Sequence, residues 1–135
     1  MRIILDNNIW ISFLIGKRLT ALQTIFGNPH VRVVFCDELE REFLDVACRP
    51  KIRKYVDELQ IDRVHRLMTQ YCEHIFVTGQ SAIYNRDPKD VYLLALAETV
   101  GADYLVSGDS DLTDLGSFHH TRIVTFQQLL DLLDK

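Results

Sequence analysis

MRIILDNNIWISFLI, residues 1–15, passes from a short strand through an acid into a helix. The apolar run 3–5 stops at Asp6, after which IWISFLI and then LTALQTIF repeat at helical spacing with a break near Gly16. The same change of period recurs down the chain. Beyond the Gly27-Asn28-Pro29 break, residues 31–35 predict a second strand, and Leu39, Phe43 and Val46 predict a helix from Asp37 that Arg49-Pro50 ends or bends. Ile61, Val64, Leu67, Met68 and Tyr71 recur at helical intervals within residues 52–71, residues 74–78 predict a third strand, and residues 79–86 a surface loop. Asp87-Pro88-Lys89-Asp90 has the composition of a helix start, with Asp87 as N-cap and Pro88 at the first helical position. The VYLLALAETV that follows is apolar nearly all round, the mark of a buried helix. Residues 102–107 and 122–124 predict the fourth and fifth strands, with a short helix at 111–115 between them and FQQLLDLL closing the chain. Strands alternating with helices predict an α/β fold, its parallel sheet covered on both faces.

In open sheets of that kind ligands collect beyond the carboxyl ends of the strands. Asp6 and Asp109 each follow an apolar strand directly and are therefore expected in one crevice. Two further acids join them. On a helical wheel at about 100° per residue, Glu42 falls between Leu39 and Val46, whereas Glu38 and Glu40 project to either side of that apolar stripe. An unpaired acid there is costly, so Glu42 needs a cation or a hydrogen-bond donor. Asp90 opens the buried helix. Two like charges about 4 Å apart repel by roughly 4 kcal/mol at an effective dielectric of about 20, and such a quartet cannot stay fully ionised unaided. Either some of the acids take protons at raised pKa, or hard, oxygen-preferring cations such as Mg²⁺ or Mn²⁺ neutralise them. Paired metals activate water and stabilise the leaving oxygen of a phosphodiester.

The 135 residues, 47% of them hydrophobic, suffice for one domain with its own core, and no linker, repeat or low-complexity stretch divides residues 1–135. The first apolar run is far too short for a signal peptide, and no stretch of 18 uncharged apolar residues follows, so a soluble, cytoplasmic protein away from the membrane is expected. Cys36, Cys48 and Cys72 lack CxxC spacing and suggest neither a disulfide frame nor a zinc site; all are expected as small buried hydrophobes. A net charge of −4 argues against binding nucleic acid through a general positive field. It leaves room for a nuclease, since metals in an acidic pocket reverse the local sign.

Together these residues resemble the PIN domain, a family of metal-dependent ribonucleases, many of them toxins of toxin–antitoxin pairs. The family's opening strand and Asp-Thr-Asn turn are matched by Asp6-Asn7-Asn8 with Ser12 further on, and its second acid by Glu42 in LEREFLDVACRPK. The trailing Arg49-Pro50-Lys51 is similar to one toxin-like subgroup in particular. Asp90 in RDPKDVYLLALA matches the third acid, and Ser107-Gly108-Asp109-Ser110-Asp111 the turn that carries the fourth. Asn7 stands where the family usually has Thr, and TFQQLL lacks the Pro often found before the last helix. The resemblance implies a three-layer α/β/α fold with a five-stranded parallel sheet ordered 3-2-1-4-5. It also implies one or two Mg²⁺ or Mn²⁺ ions on Asp6, Glu42, Asp90 and Asp109, with Asp111 as an alternate ligand. Water would then attack an RNA phosphorus in line, leaving a 5′-phosphate and a 3′-hydroxyl. Asn8 and Ser107 are suited to orient waters or ligands around the metal. A small antitoxin partner and a homodimer belong to the same expectation.

Each acid alone has an ordinary reading: Asp6 and Asp109 as helix N-caps, Asp90 as a complement to the helix dipole. Arg49, Lys51, Arg53 and Lys54, with Tyr55 beside them, either guide a phosphate backbone or form a solvated face. Arg86 and Lys89 flank Asp87 and Asp90 and are placed to meet a substrate phosphate. His119-His120 lack ligand spacing and read as loop; Trp10 and Phe13 read as core or interface. Two other functions compete. One is a PIN-like scaffold that binds metal or RNA without cutting. The other is a phosphoaspartate receiver or phosphohydrolase with Asp6 as nucleophile, but that chemistry wants a Lys near the fifth strand or a DxD motif, where this chain has Arg122-Ile123-Val124-Thr125 and Asp6-Asn7-Asn8.

Overall fold

Ile3, Ile4 and Leu5 are wholly buried, which places β1 (Arg2–Leu5) in the middle of the sheet. The computed structural model describes residues 1–16, 19–78 and 88–134, and the side chains of residues 19, 88 and 89 lie outside that description. The expected loop 79–86, the Asp87 cap, and the side chains of Arg86 and Lys89 therefore fall outside the described residues.

β1 leads into α1 (Asn7–Gly16) and α2 (Leu19–Phe26), then β2 (Arg32–Phe35), α3 (Asp37–Ala47), α4 (Pro50–Arg53) and α5 (Glu58–Tyr71). β3 (Glu73–His74) follows, and beyond it α6 (Pro88–Val100), β4 (Tyr104–Val106), α7 (Ser110–Leu115), β5 (Ser117–Phe118), β6 (Thr121–Val124) and α8 (Phe126–Leu133). Among the described residues the sheet order is β3-β2-β1-β4-β6-β5. The five parallel strands run in the expected order, and helices flank them. A sixth corrects the expected count: Ser117–Phe118 turns back antiparallel on β6 through His119-His120. Two residues carry no period, so this strand leaves no pattern in the sequence. β3 is also shorter than the predicted 74–78, with only Glu73 and His74 paired to β2.

Register aligns the strand ends. Ile3 lies opposite Val33 on one side and Tyr104 on the other, and Val106 opposite Val124, so the chain leaves β1, β2, β4 and β6 at one edge of the sheet. Asp6, Asp37, Ser107 and Thr125 all stand within two residues of those exits.

The helices form for local reasons as well as burial. α3 has Asp37, Glu38 and Glu40 in its first turn, where acids complement the helix dipole. α5 and α8 begin in reciprocal capping boxes, Asp57 with Gln60 and Thr125 with Gln128, so α8 is started by its cap without the Pro. Trp10 is buried against Phe13, Phe26 and Phe43, which fastens α1 to α2 and α3. α6 packs on α3 and β1, with Leu93, Leu94, Leu96 and Ala97 buried, which is why its sequence shows no polar face. Cys36 and Cys72 are buried, but Cys48 is exposed, against expectation, because it caps the end of α3 where the chain turns toward Pro50. Among the described residues no helix is long and apolar enough to cross a membrane.

Candidate active site

Asp6 is held by β4. Its N–H donates to the Val106 carbonyl at 2.9 Å, and its own carbonyl accepts from Ile9 and Trp10, so one residue both ends β1 and starts α1. Its carboxylate is buried. Ser107, wholly buried just past β4, donates from Oγ to Asp6 Oδ2 at 2.7 Å, and the Asn8 N–H reaches Oδ1 at 3.4 Å. The same Ser107 Oγ accepts the Asp109 N–H at 3.0 Å. Asp109 in turn caps α7, its Oδ1 accepting the Asp111 N–H at 3.0 Å. One hydroxyl thus ties the first acid to the turn that carries the fourth.

Burial pushes the Asp6 carboxyl above its ordinary value; the Ser107 and Asn8 hydrogen bonds pull it back, and the charges of Glu42 and Asp109 push it up again. Asp6 therefore senses an acid from α3 and another from the α7 turn. Glu42, half-buried on α3, has the donor its position requires: Tyr92 Oη on α6 donates to Glu42 Oε2 at 2.5 Å. Burial raises the Tyr92 phenol, and the Glu42 acceptor raises it further, so the hydroxyl keeps its proton and remains a donor. Asp90 is buried in the first turn of the same helix, two residues before Tyr92.

A cleft of about 610 Å³ opens beside Glu42, lined along α3 by Glu38, Arg41, Glu42, Asp45 and Val46, just past that helix by Arg49, and opposite by Asn7, Asn8 and Tyr92. Of the expected substrate residues, Arg49 is in this wall; Lys51 and Arg53 are exposed on α4 outside it, with Arg53 3.8 Å from Glu58. Asp111 is exposed. Arg41 and Tyr92 were not singled out by the sequence. Arg41 has no feature that separates it from any solvent-facing helical arginine, and Tyr92 sits in a run apolar on every side, where a polar tip has no pattern to break.

The donor set suits a hard cation: carboxylates and a hydroxyl, all oxygen, around a buried acid whose ionisation its neighbours oppose. Among the described residues, however, no three Asp, Glu, His or Cys side chains already close into a coordination shell. Three of the four carboxylates are each held by a donor, Asp6 by Ser107, Glu42 by Tyr92 and Asp109 by the Asp111 amide. Those partners set the directions from which the acids face the site.

A family model of the PIN domain matches residues 2–111, which include Asp6, Glu42, Asp90, Asp109 and Asp111. The chain belongs to the PIN domain family. PIN domains are generally nucleases that use divalent metal ions, so hydrolysis of a phosphodiester is the general activity of this fold. No curated protein matches the chain. In this PIN domain Asp6 stands just past β1, Glu42 on α3, Asp90 in the first turn of α6 and Asp109 at the start of α7.

Proposed function

We propose that this PIN domain is an Mg²⁺- or Mn²⁺-dependent endoribonuclease and the toxin of a two-protein module. The observation that carries the reading is Asp6, a buried carboxylate made harder to ionise by Glu42 and Asp109 and retained beside a donated Ser107 hydroxyl. Asp6, Glu42, Asp90 and Asp109 would hold the cation. When bound, it supplies charge neutralisation and Lewis-acid activation of water at the phosphodiester.

The chain's own groups do the rest. Ser107 fixes the face that Asp6 turns to the site, and Tyr92 fixes that of Glu42, with no donor to Glu42 Oε1 among the described residues. The Asp111 amide donates to Asp109 Oδ1 and fixes the orientation of that carboxylate. The antitoxin and the homodimer rest on family membership.

Incubating labelled single-stranded RNA with the protein and Mn²⁺ tests the reading. Cleavage that is abolished by a chelator and falls by about a hundredfold or more in Asp109→Asn supports it. Equal cutting by the variant assigns the activity to a contaminant and removes the proposal.

A further inference from the structure

The cleft face of α3 has one arginine without a partner. Glu38, Arg41, Glu42, Asp45 and Val46 follow one another at intervals of three, one, three and one residues, so they form a continuous stripe, with Arg49 just past the end of the helix. Asp45 lies four residues after Arg41 and four before Arg49, and it pairs with Arg49, at 3.0 Å. Arg41 is left exposed, with no hydrogen bond or ion pair among the described residues, next to Glu42 and in a wall that also holds Glu38 and Asp45. Opposite, Asn7 is 2% exposed and its Oδ1 has no hydrogen-bond partner, a second polar group in the cleft wall without a protein partner.

We propose that Arg41 binds a backbone phosphate of the RNA strand beside the one to be cut, so that the strand lies along the α3 stripe. The inference rests on the ribonuclease reading. A guanidinium presents a planar fork that matches two phosphate oxygens, and it keeps its charge at any working pH. In a chain of net charge −4 the attraction for RNA has to be local, and Arg41 supplies it one residue from Glu42. Arg49 is already engaged by Asp45 and contributes less.

The test measures binding apart from cutting. Fluorescence anisotropy of a labelled single-stranded RNA is followed on Asp6→Asn protein in Mg²⁺, with and without Arg41→Ala, over a range of NaCl. The expected result is a Kd raised about tenfold and a log–log salt slope reduced by about 0.7, the loss of one phosphate contact. Arg41→Lys is expected to keep the slope and recover part of the affinity, which a purely structural role would not produce. Unchanged Kd and slope in Arg41→Ala, or no RNA binding by the parent protein, overturns the proposal. If wild-type protein cuts RNA while Arg41→Ala binds normally, only the Arg41 assignment fails. If it never cuts but Arg41 governs binding, only the nuclease reading fails.

Discussion

Asp6 sets the energetics of the site at the scale of single residues. Its carboxyl is raised above 3.8 in the fold, mainly by burial. Its contribution to stability is therefore fully present below that value and is lost as pH rises through the folded pKa. Asp6→Asn is accordingly expected to raise the melting temperature of chelator-treated protein at pH 7. The gain should shrink as pH falls toward 3.8. A lower melting temperature at pH 7 would show that Asn cannot replace the Ser107 contact. Tyr92 acts through Glu42. Tyr92→Phe removes the donor to Oε2 and is expected to raise the Mn²⁺ concentration for half-maximal RNA cleavage about tenfold. An unchanged metal requirement would make Tyr92 a packing residue only. Asp6, Glu42 and Asp109 could be found in the sequence because an acid ending an apolar strand, or interrupting an apolar stripe, breaks a period. Tyr92 and Arg41 break none and needed coordinates.

At the scale of elements, the helix that carries Asp90 and Tyr92 is anchored at its far end by a turn. Gly101, just past α6, has φ +62°, and the Ala102 N–H closes back on the Ala97 carbonyl at 3.0 Å. A Cβ there would stand 3.0 Å from His120 Nε2 in the β5–β6 turn. Gly116, at φ +77°, has open space around the same position. Gly101→Ala should cost about 1–2 kcal/mol for the left-handed backbone plus the displacement of His120, and Gly116→Ala the backbone part alone. Urea denaturation of the two variants separates these terms; equal losses would mean that His120 swings away freely. Four of the five parallel strands were readable from their apolar runs; β3, Glu73–His74, contains none. The β5–β6 hairpin was not readable, because His119-His120 lacks the usual glycine turn signal and takes a positive φ at His119 instead.

Over the whole molecule, charge and topology act together. The sheet delivers Asp6 and Asp109 to one edge, Ser107 locks them to each other, and α3 and α6 bring Glu42 with its own donor. Asp6 and Asp109 are legible in pattern because each follows an apolar run directly, whereas the order of the parallel strands was implied by the resemblance to the PIN domain and not by any periodicity. The spacing of the acids is not legible in pattern, because it is set by hydrogen bonds from Ser107, Tyr92 and Asp111 that no periodicity encodes. Cation binding at this edge is the claim on which the rest depends. Isothermal titration of Mn²⁺ into metal-free protein at pH 7, beside Asp6→Asn, tests it most directly. Saturable binding by the wild type that is lost or weakened at least about tenfold in the variant is the predicted result. Equal binding by both proteins, or none by either, would contradict it.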